Sequence, residues 1–185
     1  KDMTLEEKIG QMLIVSYRSS EADDNLVNIL NEVKPGGFIL FSENFESYEQ
    51  AKKMIDTINS TSDIPMFMSV DQEGGRVQRL KKLSDKDVTI IPSMNKVGNM
   101  NDEELTYQVG RVVGEELRVF DINMDFAPSL DIYSNSNNTV IGDRSFGSTS
   151  EVVTKMGLSF AKGLSSTGVT PVYKHFPGHG DTSED

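Results

Sequence analysis

Short apolar runs alternate with amphipathic segments along the whole chain, and this alternation limits the possible folds more than any other feature of the sequence. The apolar runs have the length and composition of strands buried within a sheet. They lie at residues 12–15, 38–41, 66–70, 122–128 and 169–173. Strands that alternate with helices pair in parallel, through long right-handed crossover connections. The sequence therefore predicts an α/β fold built on a parallel sheet.

Helices are predicted between these strands. Thr4 and Glu7 match a capping box at the start of the first helix. Apolar residues then recur at intervals of three and four in the later helical segments. Those segments are 26–33, 51–58, 102–120 and 150–164. Ser150 is the expected cap of the last helix, whereas the segment 76–101 shows no clear period and is expected to be irregular.

Two folds satisfy this pattern, an open doubly wound sheet and a (β/α)8 barrel, and the local pattern does not separate them. In both, functional residues lie where the carboxyl ends of the parallel strands meet. Asp71, Asp131, Arg144 and His175 all follow predicted strands, so we expect them on that face. No internal repeat or linker divides the sequence, and residues 1–185 are expected to form a single domain.

The composition argues against several classes of partner. A net charge of −11 over 185 residues disfavours nucleic acid, which requires clustered Lys and Arg, and it disfavours an anionic membrane surface. No apolar run approaches the roughly 18 residues of a membrane span, so no transmembrane segment is expected. The chain has no cysteine and starts at Lys1 rather than Met. These two features favour a secreted or cell-envelope protein, with a cytoplasmic location as the alternative.

The final segment, residues 174–185, contains both histidines of the chain and a cluster of charged side chains. Pro177 and Gly178 prevent a helix or strand from continuing, so the polar groups lie on a shaped loop. Loops that follow buried strands often carry function. The alternative is a surface turn with incidental charges.

Motifs for phosphate, metal and serine chemistry are missing from the sequence. It has no G-x-x-x-x-G-K-[ST] loop, no G-x-G-x-x-G turn opening a helix and no G-x-S-x-G elbow. His175 and His179 have the spacing of a helical zinc pair, but Pro177 and Gly178 between them oppose a helix. We therefore expect no metal and no cofactor. The remaining carboxylates, imidazoles and guanidinium groups suit acid/base work on a neutral, hydroxyl-rich ligand.

Five side chains are candidates for contact with such a ligand, each with a structural alternative. The Asp71 carboxylate could accept hydrogen bonds from vicinal hydroxyls, or it could cap the glycine turn that follows. Arg79 and Arg144 could orient that carboxylate or reach the ligand, or they could form structural ion pairs. Lys174 and His175 could donate to ligand oxygens, or they could be a satisfied pair in the core.

Other side chains near these motifs are given plainer roles. Arg76 is expected to be structural, and Phe146 and Phe176 are expected in the core rather than as platforms for a sugar ring. Asp181 and Asp185 are expected to be solvated loop charges unless an acid/base partner lies close.

Three strings in the sequence together resemble one known family. They are Asp-Gln-Glu-Gly-Gly-Arg-Val-Gln-Arg at 71–79, Ile-Gly-Asp-Arg-Ser-Phe-Gly at 141–147 and Lys-His-Phe-Pro-Gly-His-Gly at 174–180. The chain resembles the N-terminal barrel of glycoside hydrolase family 3, and more narrowly its β-N-acetylglucosaminidase (β-N-acetylhexosaminidase) branch. The strings at 3–12 and 126–131 also fit, so the resemblance covers essentially the whole chain. The third string is the most specific, since the β-glucosidase branch generally lacks it.

The resemblance implies a (β/α)8 TIM barrel, of which this chain supplies about the first five βα units. It also implies a retaining glycoside hydrolase that removes terminal non-reducing β-linked N-acetylglucosamine from cell-wall peptidoglycan or chitin-type oligosaccharides. By their positions in the motifs, five residues would bind the terminal sugar: Asp71, Arg79, Arg144, Lys174 and His175.

The catalytic groups implied by the resemblance lie at or beyond the end of the chain. In this branch the acid/base is a histidine paired with an aspartate, and Asp185 matches that aspartate. The histidine and the aspartate nucleophile are both expected further along. His179 belongs to the Gly-His-Gly motif and does not match the acid/base histidine.

A whole barrel needs about 250 residues. The resemblance therefore implies that these 185 residues are the N-terminal part of a longer polypeptide. Its expected partners are the oligosaccharide substrate and the remaining C-terminal half of the barrel. Two alternatives stay open: a β-glucosidase or β-xylosidase of the same family, and a non-catalytic sugar-binding module.

Overall fold

A computed structural model describes residues 2–83 and 88–184 and contains a five-stranded parallel sheet. The strands, in chain order, are β1 (Ile14–Val15), β2 (Gly37–Leu40), β3 (Phe67–Val70), β4 (Gln72–Gly74), β5 (Val77–Gln78), β6 (Met124–Asp125) and β7 (Thr170–Pro171). The sheet has the order β1-β2-β3-β6-β7, and β4 and β5 form a separate antiparallel hairpin. Each predicted apolar run therefore contributes a strand to the sheet; β2 is as long as its run, and the other four strands are shorter than theirs.

The strand order separates the two folds that the sequence left open. Neighbours in the sheet are consecutive crossover strands, and all four pairings are parallel. A doubly wound sheet reverses its order at a switch point, whereas a barrel adds each strand on the same side. The predicted α/β class is confirmed, and the order is that of part of a TIM barrel.

The helices lie where apolar residues recur at helical spacing, and most of them cross from one strand to the next. They are α1 (Leu5–Gly10), α2 (Asp24–Val33), α3 (Tyr48–Ser60), α4 (Met94–Met100), α5 (Glu103–Val119) and α6 (Ser150–Ser166). The predicted capping box is present, since the Glu7 N–H donates to Thr4 Oγ1 at 3.2 Å and the Thr4 N–H donates to Glu7 Oε2 at 3.0 Å. The cap of α6 is Thr149, whose hydroxyl accepts from the Val152 N–H, so the prediction of Ser150 was wrong by one residue.

The segment 76–101 is more regular than predicted. It contains β5, a 3-10 helix at Arg79–Leu83 and the seven-residue helix α4. These elements are too short to show a period in the sequence. The helix begins after Ser93, a residue type favoured at helix starts, although its side chain makes no capping hydrogen bond.

One face of the sheet packs against the helices and forms the core. Alternate strand residues are buried there; they are Phe38, Leu40, Met68 and Val70. The opposite face is open at one end among the described residues: Ile14 and Phe67 on it are 41% and 49% exposed, whereas Ser69 is buried. The prediction that residues 12–15 form a strand buried on both faces is therefore wrong. Being at the sheet edge, β1 has a strand on one side and helices on one face only.

The helices α5 and α6 approach closely because glycines occupy their contact. A Cβ placed on Gly163 would lie 2.2 Å from the Tyr107 carbonyl oxygen, and one on Gly110 would lie 2.2 Å from the Phe160 carbonyl oxygen. Neither carbonyl belongs to a flexible side chain, so a larger residue would push the helices apart. Within the described residues, no helix combines the length and the apolarity needed to cross a membrane.

Gly163→Ala is expected to lower the free energy of unfolding by about 1–3 kcal/mol, the usual cost of overpacking. Chemical unfolding followed by far-ultraviolet circular dichroism measures this change. The matched control is Ser165→Ala, at an exposed position of the same helix, for which no comparable loss is expected. Equal stability of the Gly163→Ala variant and the parent would contradict the close helix contact.

Candidate functional site

The hairpin formed by β4 and β5 brings two carboxylates to the carboxyl end of the sheet. Asp71 lies directly after β3, and Glu73 follows two residues later within β4. The hairpin is braced by Gln78, whose side chain donates to the Ile91 carbonyl and accepts from the Ile91 N–H, both at 3.0 Å. Asp71 and Glu73 both line the same cleft.

The Asp71 carboxylate binds two cations and does not cap the glycine turn. Its Oδ1 lies 2.7 Å from Lys174 Nζ, and its Oδ2 lies 3.1 Å from Arg79 Nη2. The Arg79 guanidinium also lies over the Phe41 ring, 5.5 Å from its centroid. The interpretation of Asp71 as a turn cap is thus excluded, and the carboxylate is held in place by charge pairs.

Glu73 is almost fully enclosed, with 1% of its side chain exposed. Arg144 donates two parallel hydrogen bonds to the Glu73 carboxylate, from Nε to Oε2 at 2.9 Å and from Nη2 to Oε1 at 2.8 Å. Lys174 Nζ lies 2.5 Å from Glu73 Oε1, so the ammonium bridges Glu73 and Asp71. Bidentate pairing of this kind fixes the planes of both groups.

The imidazole of His175 is fixed by partners on both of its nitrogens. Its Nδ1 lies 2.6 Å from Asp131 Oδ2, and its Nε2 lies 3.2 Å from Arg144 Nη2. A guanidinium can only donate, so Nε2 accepts and the ring proton is on Nδ1, pointing at Asp131. Asp131 is itself held by the Ser129 hydroxyl at 2.9 Å and by the His179 backbone N–H at 2.6 Å.

The charge pairs keep the site carboxylates ionised in spite of their burial. Burial raises the pKa of Asp71 and Glu73, but their cationic neighbours outweigh this and hold each pKa below its usual range. For Asp131, burial again opposes ionisation, and the hydrogen bonds from His175, His179 and Ser129 lower its pKa overall. All three carboxylates are therefore charged at neutral pH.

Hydrogen bonds from Arg76 and Asn138 hold the loop that carries Arg144. Arg76 Nη2 donates to the Thr139 and Ile141 carbonyls at 2.8 and 3.3 Å. This agrees with the structural role expected for Arg76. The buried Asn138 accepts from the Ile141 N–H at 2.8 Å and donates to the His179 carbonyl at 2.6 Å. Asn138 therefore ties the Arg144 loop to the final loop of the chain, a role that the sequence did not reveal.

The final loop is fastened along its length. A Cβ on Gly180 would lie 1.8 Å from the Ile132 carbonyl oxygen, so only glycine fits there. Asp181 is exposed, and its Oδ1 accepts from the Ser134 hydroxyl at 3.0 Å. Asn135 Nδ2 donates to the backbone carbonyls of Asp181 and Thr182 at 3.3 and 3.2 Å. Asp185 lies outside the described residues.

The five predicted sugar-binding residues come together in one cleft of about 480 Å³. Its lining is Ile39, Asp71, Glu73, Val77, Arg79, Phe126, Arg144, Lys174 and His175. Phe146 is fully buried as predicted, but Phe176 is 98% exposed and is not a core residue among the described parts of the chain. No group of three or more His, Cys, Asp or Glu side chains within residues 2–83 and 88–184 is arranged to hold a metal ion.

Sequence reasoning missed the part played by Glu73. It stands inside the 71–79 string, and its position two residues after Asp71 was the available signal. Asp131 was placed on the functional face, but its pairing with His175 depends on two strands meeting at their carboxyl ends. Such partners are far apart in the sequence and are joined only by the fold.

The family model described as Glycosyl hydrolase family 3 N terminal domain matches residues 4–185. Two similar proteins are Beta-hexosaminidase A of Pseudoalteromonas piscicida and Beta-hexosaminidase LpqI of Mycobacterium tuberculosis. The first is 32% identical over 99% of this chain and 34% of its own length. The second is 35% identical over 97% of this chain and 44% of its own length.

Solved structures of glycoside hydrolase family 3 proteins are also similar to this chain. A glycoside hydrolase family 3 β-N-acetylglucosaminidase from Paenibacillus sp. str. FPU-7 is 40% identical, with a TM-score of 0.92 over 100% of this chain and 35% of that one. NagZ from Neisseria gonorrhoeae, in complex with N-trifluoroacetyl-D-glucosamine, is 34% identical, with a TM-score of 0.84 over 91% of this chain and 51% of that one. The chain thus spans about a third to a half of the length of these relatives.

Because Glu73 forms buried ion pairs, we expect the free energy of unfolding to depend on pH in the acid range. A carboxylate with a lowered pKa stabilises the fold above its ordinary pKa, and this contribution is lost as the pH falls through the lowered value. Glu73→Gln should cost about 3–5 kcal/mol at neutral pH, because Arg144 and Lys174 lose a buried partner. The difference from the parent should shrink as the pH falls below about 4.

Urea unfolding at a series of pH values measures this difference. Glu49→Gln, at an exposed position in the first turn of α3, is the matched control and should follow the parent at every pH. A Glu73→Gln difference that stays constant down to pH 2 would contradict the pairing.

Proposed function

The chain belongs to glycosyl hydrolase family 3, and from this membership and the geometry of the cleft we propose that it forms the sugar-binding part of a β-N-acetylhexosaminidase. The proposed reaction removes terminal non-reducing β-linked N-acetylglucosamine from peptidoglycan or chitin-type oligosaccharides. The observation that carries the proposal is the balanced and rigid set of charges at the carboxyl ends of the strands.

The balance of charge favours a neutral ligand. One network of ion pairs and hydrogen bonds joins three carboxylates to three cations. The carboxylates are those of Asp71, Glu73 and Asp131. The cations are Arg79, Arg144 and Lys174. With His175 neutral the set carries no net charge, so it offers no excess attraction to a phosphate or a carboxylate. It presents fixed donors and acceptors, which suits the hydroxyl groups of an uncharged sugar.

The individual roles follow from these positions. Asp71 is 16% exposed and accepts hydrogen bonds, so it is the proposed acceptor for sugar hydroxyls. Lys174 and Arg79, which flank it, are the proposed donors to the same hydroxyl oxygens. Arg144 and His175 complete the wall of the cleft, and Glu73 keeps Arg144 and Lys174 in place.

The similar proteins support the choice of sugar. The Paenibacillus structure is named a β-N-acetylglucosaminidase, and the gonococcal NagZ structure holds N-trifluoroacetyl-D-glucosamine. Their chains are longer than this one. Ile14 and Phe67 are exposed, and within residues 2–83 and 88–184 the outer edges of β1 and β7 have no neighbouring strand; both observations support a second half of the barrel as the partner that completes the enzyme.

The proposed mechanism retains the anomeric configuration. An aspartate supplied beyond this chain attacks the anomeric carbon while a histidine protonates the leaving oxygen, and water then resolves the glycosyl-enzyme with the same histidine as base. Asp185 orients that histidine and stabilises its protonated form. Asn138 and Ser134 hold the final loop at His179 and Asp181, which precede Asp185 in the sequence.

Hydrolysis of 4-nitrophenyl N-acetyl-β-glucosaminide by the complete protein tests the proposal. Asp71→Ala should lower kcat/KM by about tenfold to a hundredfold, because each hydrogen bond to a charged acceptor contributes about 1.5–3 kcal/mol. Asp24→Asn, at an exposed position in the first turn of α2, is the control and should match the parent. Preferred hydrolysis of the glucoside or xyloside, or saccharide binding without turnover, would overturn the assignment.

Asp185→Asn in the complete protein should lower kcat strongly and leave KM nearly unchanged. The substitution removes the charge that stabilises the protonated histidine, a form needed in the transition state rather than in substrate binding. Steady-state kinetics with the same nitrophenyl substrate separates the two parameters. A large rise in KM at constant kcat would contradict the assigned role.

A further inference from the structure

Asp125 is a fully buried carboxyl group directly behind the cleft, and the mechanism above gives it no role. It is the last residue of β6 and is paired in register with Val70 at the end of β3. Its exposure is 0%. Asp125 Oδ1 accepts from the Gln72 N–H at 2.9 Å, whereas Oδ2 has no hydrogen-bond partner among the described residues.

The hydrogen bond from Gln72 controls the path of the backbone that carries the site. At the end of β3, the Val70 carbonyl still accepts a regular ladder bond from the Phe126 N–H at 2.8 Å. The next N–H on that side belongs to Gln72, and it donates to the Asp125 side chain instead of to a backbone carbonyl of β6. Gln72 stands between Asp71 and Glu73, so Asp125 sets the point where both carboxylates leave the sheet.

The charged groups that face Asp125 come from two strand exits. Asp71 and Glu73 lie on the exit of β3, and Lys174 lies on the exit of β7. Burial is the largest influence on the pKa of Asp125 and raises it; the Gln72 N–H and Lys174 lower it, the two neighbouring carboxylates raise it, and the resulting pKa is about 7. The carboxyl group therefore changes its charge in the neutral range, where Asp71 and Glu73 stay ionised.

We propose that Asp125 is a positioning residue of the sugar site, and that the site holds its ligand at full strength only while the Asp125 carboxyl group is protonated. Ionisation would place a third negative charge beside Asp71 and Glu73, with Oδ2 unpaired in the protein interior. The cation that faces it is Lys174, which already bridges the other two carboxylates. If Lys174 or water moves towards the ionised Asp125, the bridge from Lys174 to Asp71 and Glu73 weakens. The segment that follows β3 is then held less firmly.

This inference rests on the proposed function, because it concerns the affinity of the same cleft for N-acetylglucosamine. If ligand binding requires one protonated group with a pKa of about 7, the association constant falls about tenfold between pH 6 and pH 8. Binding at pH 8 then takes up nearly one proton, and binding at pH 6 takes up almost none. His175 lies in the same cleft, with Nε2 3.2 Å from Arg144 Nη2 and Nδ1 2.6 Å from Asp131 Oδ2, and the Asp125→Asn variant separates its contribution from that of Asp125.

Isothermal titration calorimetry of the complete protein with N-acetylglucosamine tests the proposal. We expect the tenfold loss of affinity in the parent and in the control Asp24→Asn, and a constant affinity in Asp125→Asn, which keeps an acceptor for Gln72 but cannot ionise. Titrations of the parent in buffers of different ionisation enthalpy measure the proton uptake directly. This measurement uses only the parent protein, so it does not depend on whether the variant folds.

The possible failures are distinguishable. Equal affinity of the parent at pH 6 and pH 8, or an unchanged alkaline loss in Asp125→Asn, overturns the role of Asp125 and leaves the proposed function standing. A parent that binds no N-acetylglucosamine at either pH overturns both. Proton uptake near zero at pH 8 also overturns the inference, whatever the behaviour of the variant.

Discussion

The geometry of the cleft depends on the burial of one carboxylate, that of Glu73. A charge with 1% exposure is tolerated only when opposite charges and hydrogen bonds compensate for the lost water. Arg144 and Lys174 provide this compensation, and they come from two different strand exits. Three segments are thereby joined at one point: the hairpin after β3, the Arg144 turn and the exit of β7. Moving any one of them would leave a buried charge unpaired, so the segments hold one another in register.

The same pairing determines what the site offers to a ligand. Each cation is shared with a carboxylate, and the His175 ring is held between Asp131 and Arg144 with its proton on Nδ1. The result is a neutral surface of fixed hydrogen-bonding groups rather than a strongly charged pocket. A sugar ring meets donors and acceptors whose positions are already set, so little side-chain ordering remains to oppose binding. Asp125 adds a group behind this surface whose charge changes near neutral pH.

Much of the fold was predictable from the sequence because strand and helix periods are local. The alternation of apolar runs and amphipathic segments specified the parallel sheet, and Asp71, Arg144 and His175 line one cleft, on the face where the sequence placed them. The strand order could not be read from the sequence, and α4, with seven residues, is too short to show a helical period. The pairing of Glu73 with Arg144 was also out of reach, because its two partners are 71 residues apart. Asp125 looked like part of a buried strand, and only the unpartnered oxygen in the structure marks it as different.

The most direct test of this account is a crystal structure of the complete protein with N-acetylglucosamine bound. We expect the sugar in the cleft, with hydroxyl groups within about 3.2 Å of the Asp71 carboxylate and the Lys174 ammonium. We also expect the two hydrogen bonds between Glu73 and Arg144 to remain in place around the ligand. A sugar bound elsewhere, or bound in this cleft only after the Glu73 pairs have separated, would contradict the claim that these buried pairs build the site.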